Sequence, residues 1–159
     1  LFILVFKNYL FISFYIFKLY FSKMGRVLAL DYGKKRTGIA VTDPLKMIAS
    51  GLKTVETKSL LDYLKIYCSQ ENVDIFVIGL PKRLNNQPSE NESLIKPFLK
   101  KLKLNFPNIS VVRIDERYTS KIAFRAMIDS GLKKKQRQNK SLVDQISATL
   151  ILQSYLDSK

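Results

Sequence analysis

Short apolar runs alternate along this chain with longer stretches of helical spacing. Residues 27–30 (VLAL) and 38–41 (GIAV) are bounded by glycine and charge, and such runs read as strands. Between them lies DYGKKRT, longer than a tight two-residue turn. The pair reads as a hairpin whose turn can present side chains or backbone to a ligand. Residues 46–57, with Ile48, Leu52 and Val55, read as a third short strand. Residues 59–72 place Leu60, Leu61, Leu64, Tyr67 and Cys68 on one helical face. Residues 73–80 (VDIFVIGL) form a near-continuous apolar run, as in a strand buried on both faces of a parallel sheet.

The second half repeats the alternation. Residues 92–106 carry Leu94, Ile95, Phe98, Leu99, Leu102 and Phe106 on one helical face. Pro97 is placed near the first turn of that helix, where proline is tolerated. Residues 109–116 (ISVVRIDE) read as a strand. Residues 119–130 read as a helix with Ile122, Ala123, Ala126 and Met127 inward and Gly131 as its stop. A basic loop, 132–140, leads to a closing helix over 141–156. The order predicts an α/β fold, a mixed five-stranded sheet with helices on both faces. Ligands of such sheets sit at the carboxyl ends of the parallel strands. Asp31, Leu80-Pro81 and Asp115-Glu116 fall at such ends.

Residues 1–23 (LFILVFKNYLFISFYIFKLYFSK) depart from this pattern and contain no acid, Gly, Pro or Ala. They lack the small-residue cleavage site of a signal peptide. Lys7 and Lys18 interrupt a span that needs roughly 20 apolar residues. The stretch reads as an upstream extension, with a membrane anchor as the second reading. Residues 24–159 read as one folded domain.

Composition narrows the chemistry. The formal charge is +14, and it stays strongly positive when Lys7, Lys18 and Lys23 are set aside. Such a balance points to a polyanionic partner, nucleic acid or an anionic membrane surface. There is no histidine and a single cysteine, Cys68. Cys/His zinc sites and Ser-His-Asp or Cys-His nucleophiles are therefore excluded. Cysteine usage fits a reducing cytoplasm, and Cys68 reads as ordinary core. Hydrolysis, if present, must use carboxylates with hard cations such as magnesium.

Three distant segments supply those carboxylates. Asp31 ends the first strand, Asp115 and Glu116 end the last, and Asp144 falls in the first turn of the closing helix. Acids converging on one edge repel one another and persist when a cation sits between them. Two divalent ions can clamp the attacking and leaving oxygens of a phosphodiester. Each acid also has a structural reading. Asp31 can close an Asx turn. Asp144 can be the third helical residue of a capping box begun by Ser141. Asp115 and Glu116 point to opposite faces, so one faces the site. The other pairs with Arg113 or Arg117, or caps the next helix.

LALDYGKKRTGIAVTD, VIGLP, DERYTS and SLVDQISATLILQSYL, in this order and spacing, resemble the YqgF type, also called RuvX. These are Holliday-junction-resolvase-like proteins held to be nucleases maturing the 5′ end of pre-16S rRNA. The resemblance covers residues 25–158 and implies an RNase H-like fold with a metal-dependent nuclease site. It implies catalytic and metal-binding roles for Asp31, Glu116 and Asp144, with Asp115 as the alternative to Glu116. The cofactor would be Mg2+ or Mn2+. After Gly79-Leu80-Pro81 the family often has a small, Gly-containing loop, whereas here Lys82-Arg83-Leu84-Asn85-Asn86-Gln87-Pro88 follows.

Cations surround these acids in the sequence. Lys34, Lys35, Arg36, Lys82, Arg83, Arg117, Lys133, Lys134, Lys135, Arg137 and Lys140 are candidate phosphate contacts. Such contacts position a backbone and carry no sequence code. For 133–140 a solvated loop is an equal reading. Tyr32 and Tyr118 fit core or rim packing better than stacking on bases. The leading expectation is a metal-dependent nuclease acting in the cytoplasm on structured RNA, precursor rRNA or its ribosomal particles. It needs no small-molecule cofactor. Branched DNA is the second substrate, and a non-catalytic ribosome-assembly factor is the second class. Asp-x-Gly hairpins also open sugar kinases and actin-like ATPases, but those need a second domain and a second phosphate loop.

Overall fold

The computed structural model describes residues 24–81, 90–115, 122, 125, 127–131 and 133–159. Three strands open it: β1 (Arg26–Tyr32), β2 (Arg36–Thr42) and β3 (Ala49–Glu56). A 3-10 turn, Thr57–Ser59, leads into α1 (Leu60–Gln70), β4 (Val73–Leu80), α2 (Glu90–Asn105) and β5 (Ser110–Asp115). A short helix, α3 (Lys134–Arg137), precedes α4 (Lys140–Asp157). The five strands form one sheet in the order β3-β2-β1-β4-β5. β1, β2 and β3 pair antiparallel, whereas β1, β4 and β5 run parallel. The carboxyl ends of β1, β4 and β5 therefore share one edge, as expected from the sequence.

Strand alternation sorts the core into two layers. Leu28 and Leu30 of β1, Ile39 and Val41 of β2, and Phe76 and Ile78 of β4 pack against Leu60 and Leu64 of α1 and Ile95, Phe98 and Leu102 of α2. Val27 and Ala29, Ala40 and Val77 face the other way, against Ala148, Ile151, Leu152 and Tyr155 of α4. The two layers differ in residue size for a physical reason. Large side chains keep α1 and α2 at ordinary distance from the sheet. Under α4, β2 offers Gly38 and Ala40. A Cβ on Gly38 would overlap the backbone carbonyl oxygen of Asp144. The helix thus rests its backbone on the strand, which only glycine permits here.

Several boundaries correct the sequence reading. The third strand begins at Ala49, not at residue 46. The carboxylate of Asp43 accepts the amides of Leu45, Met47 and Ile48 and closes that segment into a turn, with Lys46 at φ 59°. Pro97 lies in the interior of α2, because this helix begins at Glu90. The N-cap of α4 is Asn139, whose side chain accepts the amides of Ser141 and Leu142. Ser141 is therefore inside the helix, and Asp144 lies beyond its first turn. The capping-box reading of Asp144 fails on that geometry. Residues 132–140 are not all loop, since α3 lies within them.

Of the helix expected over 119–130, Ile122, Arg125 and 127–129 are described and helical. Met127 is buried as expected, but Ile122 is exposed. Gly131 is the expected stop, with φ 75° and its amide on the Ile128 carbonyl at 2.9 Å. Residues 1–23 lie outside the described residues. Among the described residues, no helix is long and apolar enough to cross a membrane.

The seat of α4 on Gly38 predicts a mutational cost. Gly38→Ala should lower unfolding stability by about 1–3 kcal/mol through overpacking. Urea denaturation monitored by circular dichroism measures it, and a change below about 0.5 kcal/mol would contradict the close approach.

Candidate metal centre

Asp31 stands where β1 leaves the core. Val27 and Ala29 face α4, and alternation puts Asp31 on that same side. Its partner across the β1–β2 ladder is Gly38. The backbone of Asp144 rests on Gly38 from above. One glycine therefore brings a sheet carboxylate and a helix carboxylate to the same spot. Burial first, and the charge of Asp144 second, push the Asp31 carboxyl from its ordinary 3.8 up to about 6. Its anionic form is held at a cost that a cation would relieve.

Arg36, the first residue of β2, donates from Nε to Oδ2 of Asp144 at 2.9 Å. Proposed from sequence as a phosphate contact, Arg36 here orients an acid. No other hydrogen bond reaches the Asp144 carboxylate among the described residues. The turn before Arg36 is firmly held. Gly33 donates to the Arg36 carbonyl at 3.1 Å. Thr57 clasps the same turn, its hydroxyl donating to Gly33 O at 2.6 Å and its amide to Lys35 O at 3.1 Å. Lys34 and Lys35 project from that turn and are exposed.

The other candidates are placed less completely. Asp115 ends β5 beside Leu80 of β4 and is exposed. Glu116, Arg117, Tyr118, Lys82 and Arg83 lie outside the described residues. Among the described residues, no group of three acids gathers. Lys133, Lys134, Lys135 and Lys140 are exposed on the approach to α4, and Arg137 is half-buried. Tyr32 packs at the rim, its ring stacked on Phe98 at 4.7 Å, as the sequence reading preferred. Cys68 is half-buried, and burial pushes its thiol up to about 11.

Arg113 does not pair with Asp115. Its guanidinium makes a two-pronged contact with the buried Glu92 of α2, at 3.2 and 2.8 Å. It also donates to the carbonyls of Ile78 and Gly79 at 3.3 and 2.8 Å. The end of β4 is thereby tied to both β5 and α2.

Comparison with known proteins matches this arrangement to a family. A model described as "RuvX: Holliday junction resolvase" matches residues 25–158. The chain belongs to the RuvX family. Its mixed five-stranded sheet is the RNase H-like arrangement expected from the sequence. A relative from Phocaeicola vulgatus is 58% identical over 136 residues, 86% of this chain and 98% of that one. One from Flavobacterium johnsoniae is 57% identical over 136 residues, 86% of this chain and 99% of that one. One from Bacteroides fragilis is 56% identical with the same two shares. Each carries the name "Putative pre-16S rRNA nuclease".

Two contributors to this RuvX site escaped the sequence reading. Gly38 had one available signal, a glycine inside an apolar strand, which often marks close backbone approach. The Arg113–Glu92 pair had none, since nothing in spacing or pattern links a strand residue to a helix 21 positions away.

The raised pKa of Asp31 gives a pH signature in metal-free protein. Folding holds the Asp31 proton more tightly than the unfolded chain does. Its contribution to stability is full below about pH 3.8 and is lost as pH rises through about 6. Asp31→Asn should stabilise the chelator-treated protein by about 1–3 kcal/mol near pH 8, with no gain near pH 4. Urea titrations across that range measure the difference. A variant less stable than wild type near pH 8 would contradict the strained charge.

Proposed function

We propose that this protein is a divalent-metal-dependent nuclease that hydrolyses phosphodiester bonds of structured RNA, maturing the 5′ end of pre-16S rRNA in the cytoplasm. The observation that carries the reading is the meeting of Asp31 and Asp144 at Gly38, on the edge where β1, β4 and β5 end. Family membership and the names of the relatives supply the substrate class. The alternative, a branched-DNA nuclease, is favoured only by the family description.

The donor set suits a hard cation. Two carboxylates face one spot, one of them with its charge disfavoured by burial and by the other. Asp31 and Asp144 would hold Mg2+ or Mn2+, with Glu116 as the third acid; Asp115, its alternative, shares with Arg113 the face of β5 turned to α2, opposite Asp31, and is the poorer choice. A bound divalent ion would neutralise charge on the scissile phosphate and make an attacking water more acidic. The residues of the chain do the positioning. Arg36 fixes one oxygen of Asp144 and so sets the direction of the other. Lys34 and Lys35, on a turn clasped by Thr57, draw in a phosphate backbone that the acids alone would repel. Lys133, Lys134, Lys135, Arg137 and Lys140 extend that attraction along the approach to α4, and Lys82, Arg83 and Arg117 would add to it. Hydrolysis itself adds one water across one P–O bond.

The test is cleavage of a precursor-rRNA fragment beside a synthetic four-way DNA junction. Asp31→Asn should reduce metal-dependent cleavage of the RNA by at least about a hundredfold and leave RNA affinity within about threefold. Full activity in that variant, or cleavage that persists in chelator, overturns the reading. Binding without cleavage by the wild type under every divalent metal would favour a ribosome-assembly factor.

A further inference from the structure

We infer that a groove on the opposite face of the sheet from Asp31 is a subsite for an unpaired nucleotide of the substrate strand. The inference rests on the proposed action on nucleic acid and adds to it that the substrate is single-stranded beside the site. The groove has a volume of about 390 Å3 and lies between the β1–β2 turn, the Thr57–Ser59 turn and α2. Tyr32, Leu61 and Leu94 give it an apolar wall, and Lys34, Lys58 and Lys101 ring it with charge.

Its position follows from strand alternation. Asp31 faces α4, so Tyr32, the next residue, faces α1 and α2 and packs against their layer. Groove and carboxylates thus share one end of the sheet, on opposite faces, and the turn that carries Lys34 and Lys35 lies at that end. A strand crossing that turn passes from one to the other over a surface held rigid by Thr57.

Its chemistry selects the occupant. Tyr32 is fixed by stacking on Phe98, with an interplanar angle of 29°, and remains partly exposed. Among the described residues no carboxylate lines the groove, although Glu56 pairs with Lys58 at 2.8 Å beside it. Lys34 and Lys101 make no ion pair among the described residues. Aromatic and apolar walls with cations at the rim suit a base and its phosphates. The volume falls at the low end of the roughly 300–1,000 Å3 of small-ligand sites, so one nucleotide fits and a duplex does not. Bases within a duplex hide their faces, so only an unpaired one can enter.

The experiment measures fluorescence anisotropy of the full chain in chelator, so that cleavage plays no part. The probes are an RNA hairpin with a blunt end and the same hairpin with a single-stranded tail. Wild type should bind the tailed form about tenfold more tightly, within the range of one stacked base. Lys101→Glu should abolish that preference and leave blunt-hairpin affinity within about threefold. Lys103→Glu, exposed on the same helix but outside the groove, should keep it. The inference is overturned if wild type shows no tail preference, or if Lys101→Glu and Lys103→Glu act alike. It is also overturned if oligoglutamate displaces the tailed hairpin as well as an unlabelled oligouridylate does. A protein that binds tails but never cleaves would defeat the nuclease reading and leave this one standing. One that cleaves without a tail preference would do the reverse.

Discussion

Two carboxylates that repel each other are held at one end of the sheet because a helix lies backbone-first on a glycine. A side chain at position 38 would lift α4 and carry Asp144 away from Asp31. The seat also explains why β2 offers the small Gly38 and Ala40 under α4 while it turns Ile39 and Val41 to the other layer. Close approach gives up some apolar burial on that face. What it gains is a helix whose second turn is fixed in height and angle over the end of β1.

The electrostatic design follows from that seat. Burial and the Asp144 charge both disfavour an ionised Asp31, so the metal-free site stores unfavourable energy. Arg36 relieves part of it from one side, at a single oxygen of Asp144. The wider chain is strongly basic, and Lys34 and Lys35 stand exposed on the turn beside these acids. Short-range anionic character inside long-range cationic character is what a cation-assisted reaction on a polyanion requires. The same turn that carries Lys34 and Lys35 lies at the end of the sheet that the acid edge and the cationic groove beside Tyr32 share. One rigid element can therefore guide a strand on both faces.

Much of this was legible in the chain. The run VDIFVIGL became β4 over the residues expected, because a buried parallel strand leaves a continuous apolar signature. Helical spacing located α1, α2 and α4 to within two residues, and the alternation of elements gave the mixed sheet. Local competition between signals was less legible. Asn139 and Ser141 are both competent caps by residue type, and the helix uses Asn139. Asp43 drew three amides to itself and delayed β3, an effect invisible to hydrophobic pattern. Long-range polar pairs were not legible at all. Arg36 meets Asp144 across 108 residues, and Arg113 meets Glu92 across 21.

The central claim is that Asp31 and Asp144 together form a cation site seated on Gly38. The most direct measurement is calorimetric titration of Mn2+ into chelator-stripped protein at about pH 6, in two buffers of different ionisation enthalpy. Because the Asp31 pKa is about 6, binding should release about half a proton per ion, and Asp144→Asn should weaken it at least about tenfold. Mn2+ binding that releases no proton, or that survives Asp144→Asn unchanged, would contradict the account.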